Sequence, residues 1–225
     1  MDGILIVDKP KGMTSHDVVD FIRKKFGIKK VGHAGTLDPA VTGVLIILIG
    51  RATKLSAQFV NDDKEYEATL ALGIKTDSGD AEGKILFEGD YNKITEGQIR
   101  DVFESFKGRL EQVPPMVSAL RFEGKRLYEL ARQGREVPRK PRTIHIKELK
   151  IKNIKIPHID FSVVCSKGTY IRKLCDDIGD NLGCGGHLYY LRRLRSGEFS
   201  LKRSVTMEGL ESFSKGELEK HLVNI

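Results

Sequence analysis

The chain has 225 residues and a formal net charge of +7, with an isoelectric point near 9.2. This length allows one sizeable hydrophobic core, and the positive charge favours a polyanionic partner, although basic composition alone is weak evidence. Three cysteines without paired spacing argue against a metal site or a disulfide framework, and no apolar run is long enough to span a membrane, so we expect a cytoplasmic protein that contacts no membrane.

Residue periodicity and turn residues predict both strands and helices. Strands are predicted at residues 3–8, 43–49, 64–73, 143–156, 159–165 and 187–195. Helices are predicted near residues 15–26, 52–60, 95–106, 126–133 and 169–182. No helix separates the strands at 143–156 and 159–165, which favours antiparallel pairing. The predicted class is α+β, in a single domain of residues 1–225.

Residues 32–43 form a glycine-rich segment, GHAGTLDPAVTG, ahead of an apolar run. Glycine permits positive φ angles and close approach of the backbone to a ligand, and Pro39 fixes the φ angle next to Asp38. A rigid loop that presents one carboxylate suggests chemistry. The alternative is an aspartate that only caps a turn.

Three other segments carry candidate residues before and within predicted elements. Residues 8–15, DKPKGMTS, predict a turn and a helix N-cap, in which Lys9 is by default solvated. The alternation of strand 64–73 places Tyr66 on an apolar face, where a lone tyrosine usually packs. Residues 76–83, TDSGDAEG, lack the distal glutamate and the acidic alternation of a calcium loop, so we predict a turn without metal.

Residues 166–174, SKGTYIRKL, predict the start of a helix after a strand. Ser166 or Thr169 can supply its cap. Its buried stripe is predicted to comprise Ile171, Leu174 and Ile178. Arg172 lies in the first turn, where an arginine normally faces water.

Basic residues are concentrated between Pro114 and Pro138, which predicts a surface insertion that faces a polyanion. Further basic runs at residues 23–25, 139–142 and 192–195 are dispersed along the sequence, and a folded groove could gather them.

These segments together resemble the TruB family of tRNA pseudouridine synthases along nearly the whole chain. The matching motifs are GHAGTLDP, KPKGMTS, KEY at residues 64–66, SKGTYIR and LRRLRSG at residues 191–197. The resemblance implies isomerisation of uridine to pseudouridine at position 55 in the T-loop of tRNA, by flipping the base and without a cofactor. It makes Asp38 the expected catalytic residue.

The resemblance also implies the catalytic partners of Asp38. Tyr66 is expected to stack on the uracil and to assist removal of its proton. Arg172 is expected to pair with Asp38 and to keep its carboxylate ionised and oriented.

Five further residues are expected to support the site or bind substrate: Lys9, His33, Asp80, Tyr170 and Leu191. His33 would occupy the space vacated by the flipped base, and Leu191 would pack against the flipped nucleotide. Asp80 is expected near Arg172, and Tyr170 in the pocket. Lys9 is expected to be either a structural residue or an RNA contact.

The implied architecture is the pseudouridine synthase fold, a mixed and mostly antiparallel sheet with flanking helices and a thumb insertion. The thumb, at about residues 112–142, is expected to close on the T stem-loop. Val117 and Arg121 stand where the family usually has Tyr and Lys, which weakens the expected local RNA contact. We expect a monomer and a short form of the enzyme, without the C-terminal PUA domain of many relatives.

Two other functions remain open from the sequence. A dyskerin-like subunit that works with guide RNA is favoured by DPAVTG at residues 38–43 and by KLC at 173–175, but the missing PUA domain counts against it. A non-catalytic RNA-binding or tRNA-folding module is disfavoured because Asp38, Tyr66 and Arg172 are all retained. The sequence does not decide whether Asp38 acts as a nucleophile or deprotonates the sugar.

Overall fold

The computed structural model describes residues 1–224 and divides the chain into two compact units. The first unit contains residues 1–67 and the described residues from 190 onward, and the second contains residues 68–189. The strands are β1 (Gly3–Lys9), β2 (Val31–Ala34), β3 (Thr42–Ile49), β4 (Lys64–Leu72), β5 (Ile74–Thr76), β6 (Ile85–Glu88), β7 (Gly108–Gln112), β8 (Arg121–Phe122), β9 (Lys125–Arg126), β10 (Arg142–Lys155), β11 (His158–Cys165), β12 (Gly186–Ser196), β13 (Phe199–Ser200) and β14 (Val205–Thr206). The helices are α1 (Ser15–Phe26), α2 (Ser56–Val60), α3 (Glu96–Ser105), α4 (Leu127–Arg132), α5 (Ile171–Asn181), α6 (Met207–Ser212) and α7 (Lys215–Lys220), with 3₁₀ turns at Gly50–Leu55 and Leu201–Arg203.

In the first unit the strands are ordered β14-β1-β3-β12, and β2 also pairs with β3. β1 and β2 run antiparallel to β3, whereas β12 runs parallel to it. β3 is buried along almost its whole length, which explains its continuous apolar sequence. Its core contacts include Ile4, Ile6, Ala34, Ala52, Phe59 and Phe199.

Local residues at the two ends of helix α1 determine where it begins and where it ends. Thr14 and Asp17 form a reciprocal capping box at the N-terminus, and Gly27 ends the helix in the left-handed conformation, with a φ of 65°. Its buried residues include the apolar stripe of Val18, Val19, Ile22 and Phe26. The helix thereby begins directly after the turn that follows Lys9, the last residue of β1.

The second unit contains β4 from residue 68 onward, and its strands are ordered β4-β11-β10-β7. The pair β10–β11 is antiparallel, as the uninterrupted strand sequence predicted, and β10 also pairs antiparallel with β7, which was not predicted. The ring of Phe103 on α3 packs edge-on against Phe161 on β11, with ring centroids 5.4 Å apart. Two small hairpins, β5–β6 and β8–β9, complete the described strands of this unit.

The predicted α+β class and the mostly antiparallel sheet are confirmed. Sequence reasoning missed the short strands β2, β5 to β9, β13 and β14, and the helices α6 and α7. The predicted helix at 52–60 is a 3₁₀ turn followed by the short α2. The predicted cap of α5 is wrong, because its N-cap is Tyr170 and no side chain caps it. The single domain expected from length stays a prediction.

Gly43 marks a close approach of β3 to β12. Its φ is 104°, and a Cβ atom there would lie 2.1 Å from the carbonyl oxygen of Arg193. We expect Gly43→Ala to lower the free energy of unfolding by at least about 3 kcal/mol, because backbone strain and a backbone clash add together. Gly27→Ala is the control, since Gly27 also has positive φ but open space around it. Urea unfolding should show a cost of only about 1 kcal/mol for the control, and equal costs would contradict the clash.

Candidate active site

Asp38 lies in the loop of residues 35–41, between β2 and β3. Part of the segment expected to be loop is strand, because residues 32–34 belong to β2 and pair with β3. Asp38 is half-buried, and its carbonyl accepts a hydrogen bond from the Val41 N–H at 3.0 Å. The loop therefore turns back immediately after its carboxylate.

Lys9 holds the residue that follows Asp38. Its side chain is completely buried, and its Nζ donates to the carbonyls of Pro10 at 2.9 Å, Met13 at 2.6 Å and Pro39 at 3.4 Å. Burial lowers the pKa of the Lys9 amine from 10.5 to about 8, although the nearby Asp38 carboxylate opposes this shift. This geometry favours the structural alternative for Lys9 over direct contact with RNA.

Arg193 joins the two ends of the Asp38 loop, a role that sequence reasoning missed. Its side chain on β12 is 1% exposed; Nε donates to the Val44 carbonyl at 2.7 Å and Nη2 to the Gly35 carbonyl at 2.9 Å. Gly35 has a φ of 82°, and a Cβ there would lie 3.3 Å from Nη1 of Arg193. The only sequence signal was its place in the LRRLRSG motif.

The basic run at residues 192–195 is therefore not a free cationic surface. Arg192 forms an ion pair with Asp8 at 2.6 Å, and Arg195 forms one with Glu65 at 2.9 Å. With Arg193 buried, all three arginines have partners inside the first unit. Within this run, Arg193 holds the Asp38 loop, and Arg192 and Arg195 form ion pairs with carboxylates of β1 and β4.

His33 lies on β2, opposite Ile47 of β3. Its Nδ1 is buried and has no hydrogen-bond partner among the described residues. Burial lowers the pKa of His33, and the positive charges of His16 and Arg193 act in the same direction. The imidazole is thus held neutral at neutral pH beside the start of the Asp38 loop.

Tyr66 and Leu191 are both largely buried in the first unit, at 9% exposure each. Tyr66 shares a face of β4 with Lys64, whose Nζ donates to the carbonyls of Phe59, Val60 and Asp62. Leu191 lies on β12, two residues before Arg193. The roles expected for both side chains stay predictions.

Arg172 is buried in the second unit, contrary to the water-facing alternative for the first turn of α5. It is 5% exposed. Nη1 donates to the Ser78 carbonyl at 2.8 Å and lies 3.7 Å from Oδ2 of Asp80, while Nη2 donates to the Val117 carbonyl at 2.7 Å. The structure thus places Asp80 beside Arg172, where the sequence predicted it.

The segment at residues 76–83 is a turn, as predicted. Oδ1 of Asp80 accepts from the Ser78 hydroxyl at 2.6 Å and from the Glu82 N–H at 3.2 Å, while Asp77 accepts from the Lys84 N–H at 2.9 Å. Both carboxylates thus accept hydrogen bonds from main-chain N–H groups of this segment or of the residue that follows it. The other oxygen of Asp80 is directed to Arg172.

Tyr170 is held through its main chain by Gln112, which sequence reasoning also missed. The amide of this buried side chain accepts from the Tyr170 N–H at 2.8 Å and donates to its carbonyl at 3.1 Å. Gln112 is the last residue of β7 and the first residue of the thumb, at about residues 112–142. One side chain therefore links the entry of the thumb to the start of α5.

The thumb has its own small apolar cluster, in which α4 packs on the preceding loop. The cluster consists of Leu127, Leu130 and Val137, with Met116, Leu120 and Phe122 packed against it. The ring of Tyr128 lies between two cations, with the guanidinium carbons of Arg126 and Arg132 at 5.8 and 5.5 Å from its centroid. Both arginines are exposed, as expected for an insertion that faces a polyanion.

The predicted site residues fall into two groups. Asp38, Lys9, His33, Tyr66 and Leu191 belong to the first unit. Asp80, Tyr170 and Arg172 belong to the second. Buried hydrogen bonds that involve main-chain groups fix the Asp38 loop in the first group and Arg172 in the second. The chain can thus present one carboxylate from a loop held on both sides and one buried guanidinium. The pairing of Asp38 with Arg172 stays a prediction.

Among the described residues, no helix is long and apolar enough to cross a membrane. The carboxylates of Asp176, Asp177 and Asp180 lie within 4.8 Å of one another. Lys75 and Lys173 form ion pairs with this group, at 3.1 and 2.7 Å from Asp176. The two lysines offset two of the three negative charges of this group.

Comparison with known proteins identifies relatives along the whole chain. Residues 23–171 match the sequence model of the TruB family pseudouridylate synthase (N terminal domain), and residues 172–224 match the tRNA pseudouridylate synthase B C-terminal domain. A curated protein from Syntrophotalea carbinolica, named tRNA pseudouridine synthase B, is 51% identical over 100% of this chain and 74% of its own length. A protein of the same name from Opitutus terrae is 44% identical over 100% of this chain and 93% of its own length.

Solved structures share the fold. A Cbf5-Nop10-Gar1 complex aligns with a TM-score of 0.73 and 33% identity, over 92% of this chain and 52% of the solved chain. An H/ACA RNP bound to a substrate RNA containing 2'-deoxyuridine aligns with a TM-score of 0.72 and 29% identity, over 99% of this chain and 56% of the solved chain. This chain thus spans about half the length of these solved proteins.

The buried amine of Lys9 predicts a pH-dependent stability. Its pKa is about 8 in the folded protein and near 10.5 when unfolded, so the unfolded state binds more protons between these values and the free energy of unfolding increases with pH across this window. Lys9→Met removes the titrating amine, so the free energy of unfolding of the variant lacks this increase with pH. We expect the destabilisation by Lys9→Met to be larger near pH 9.5 than near pH 7, by about 2 kcal/mol.

Urea unfolding of wild type and variant at both pH values measures this difference. Lys11→Met is the matched control, because Lys11 is exposed in the turn that follows β1. The control should change stability equally at the two pH values. A cost of Lys9→Met that does not vary with pH would show that Lys9 is charged in the folded protein throughout this range.

Proposed function

The chain belongs to the TruB family of pseudouridylate synthases, and we propose that it isomerises uridine to pseudouridine at position 55 in the T-loop of tRNA. The curated relatives named tRNA pseudouridine synthase B support tRNA as the substrate. The observation that carries the proposal is the Asp38 loop, in which buried groups hold the main chain on both sides of one half-buried carboxylate.

The reaction breaks the N-glycosidic bond, rotates the uracil and joins it to the ribose through carbon. It requires neither redox chemistry nor a group donor, so we propose that no cofactor takes part. Asp38 either attacks as a nucleophile or removes a proton from the sugar. In both mechanisms the carboxylate must lie at a fixed distance from the ribose or base, and a rigid loop meets this requirement.

Tyr66, His33 and Leu191 are proposed to act on the flipped base. Tyr66 stacks on the uracil and assists removal of its proton, while Leu191 packs against the nucleotide. His33 takes the space that the base leaves, and its neutral imidazole suits an apolar stacked environment better than a charged one. Flipping costs a few kcal/mol of unstacking, which these contacts must offset.

The thumb is proposed to bind the T stem-loop. Exposed arginines on both sides of Tyr128 can neutralise phosphates while the ring between them keeps their positions. Arg121 adds a further exposed cation, whereas Val117 offers no aromatic surface to RNA. We further propose that the protein acts as a monomer in the cytoplasm.

Guide-dependent modification is the second candidate, because solved H/ACA complexes share the fold at about 30% identity. The curated tRNA pseudouridine synthases are closer, at 51% and 44% identity. Incubation of tRNA with the purified protein and no added RNA distinguishes the two. Pseudouridine at position 55, mapped by its carbodiimide adduct, supports the stand-alone enzyme, and modification that depends on a guide RNA would favour the second candidate.

Asp38→Asn tests the catalytic assignment. We expect turnover to fall by more than about 1000-fold, which is about 4 kcal/mol in the barrier, because the amide can neither attack nor accept a proton. Affinity for tRNA should stay within a few-fold, since phosphate contacts lie elsewhere. Single-turnover pseudouridine formation and filter binding measure the two quantities.

Asp101→Asn is the matched control, because Asp101 is exposed on α3. It should leave both quantities unchanged. Activity of Asp38→Asn within about tenfold of wild type would remove Asp38 from the chemistry.

The thumb predicts a salt-dependent affinity for RNA. We expect Arg132→Gln to weaken binding of a T-arm hairpin and to lower the slope of log affinity against log salt concentration by about 1, as for one lost phosphate contact. The maximal turnover rate should not change. Arg100→Gln on α3, where Arg100 is paired with Glu96, is the control. An unchanged slope for Arg132→Gln would place this side of the thumb away from the RNA.

A further inference from the structure

The hydroxyl of Ser15 forms two hydrogen bonds with one residue of the Asp38 loop. Oγ accepts from the Leu37 N–H at 2.9 Å and donates to the Leu37 carbonyl at 3.1 Å. Ser15 is the first residue of α1 and is 2% exposed. One buried oxygen atom thus satisfies both main-chain groups of the residue that precedes Asp38.

Pro39, the residue that follows Asp38, is held by the end of β1 and by the turn between β1 and α1. The Pro39 carbonyl accepts from the Gly12 N–H at 2.8 Å and from Lys9 Nζ at 3.4 Å. Adjacent Cα atoms are about 3.8 Å apart, so fixing residues 37 and 39 leaves the Cα of Asp38 little freedom. The segment from Lys9 to Ser15 therefore forms hydrogen bonds with the loop on both sides of Asp38.

The Ser15 hydroxyl is not required to start the helix. Thr14 is the N-cap of α1, and its hydroxyl and the Asp17 carboxylate already satisfy one another's main-chain N–H groups at 3.0 and 2.7 Å. A serine at the first helical position usually faces solvent or supports its own helix. Here the hydroxyl is directed to a residue 22 positions along the chain.

We propose that Ser15 is a positioning residue for Asp38, which acts through the main chain of Leu37 and does not touch the RNA. The inference rests on the proposed function, because it requires Asp38 to perform the chemistry. Loss of the two hydrogen bonds lets the loop shift, and a shift of about 1 Å can cost about 100-fold in rate. Binding of RNA depends on other surfaces and should persist.

The test compares Ser15→Ala, Ser15→Cys and wild type. We expect the single-turnover rate at saturating enzyme to fall about 30- to 100-fold in Ser15→Ala, with the Kd for a T-arm hairpin within about threefold of wild type. Ser15→Cys should lie between the two, because a thiol is a weaker donor and acceptor. Circular dichroism at the assay temperature establishes that each variant is folded.

Ser204→Ala is the matched control. The Ser204 hydroxyl also donates to a main-chain carbonyl of the first unit, that of Leu201 at 2.7 Å, but this bond lies in a separate 3₁₀ turn. The control should keep the wild-type rate even if it loses some stability. A general effect of losing a serine hydroxyl would lower both rates equally and overturn the proposal.

The remaining outcomes separate the inference from the proposed function. A Ser15→Ala rate within about threefold of wild type, or a loss that appears only in Kd, overturns the positioning role. If Asp38→Asn is inactive at the same time, the proposed function stands without the inference. If Asp38→Asn keeps its activity, the proposed function fails whatever Ser15 does.

Discussion

The candidate site depends on buried polar side chains that form hydrogen bonds with main-chain groups of the Asp38 loop and of the segments beside it. Lys9 and Arg193 are almost fully buried cations, and each would be strongly destabilising if its donors lacked acceptors. Their donors are satisfied by carbonyls of Pro39, Gly35 and Val44. Movement of the loop would break the bonds to Pro39 and Gly35 and leave both buried cations with fewer acceptors. Burial of Lys9 and Arg193 therefore favours one conformation of the loop.

The second unit uses the same principle for its own cation. Arg172 is buried, and two carbonyls from separate segments, at Ser78 and Val117, accept from its two terminal nitrogens. Asp80 adds a negative charge at 3.7 Å while its other oxygen stabilises the turn. Because Val117 belongs to the thumb, the orientation of this guanidinium depends on how the base of the thumb is folded.

Loss of one of these hydrogen bonds is expected to affect the position of a reactive side chain more than the free energy of unfolding. Each hydrogen bond contributes only about 1 kcal/mol net, yet a loop that moves by a fraction of an ångström can misplace a carboxylate for the reaction. This difference explains why neutral hydrogen-bond partners such as Ser15 and Gln112 merit as much attention as the charged residues of the motifs. They fix the backbone of Leu37 and Tyr170, the neighbours of Asp38 and Arg172.

The sequence by itself determined the long elements, the motif residues and the family. Helix α1 and strand β3 are specified locally, by a capping box, a terminal glycine and a continuous apolar run. Only the tertiary structure determined which polar side chains are buried and which main-chain groups they bind. Lys9, Arg172 and Arg193 have the sequence context of solvated side chains, yet all three are buried and donate to main-chain carbonyls of segments distant in the chain. Lys9 also donates to two carbonyls close to it in sequence, those of Pro10 and Met13. Local periodicity carries no information about such partners, because a main-chain carbonyl is present at every residue.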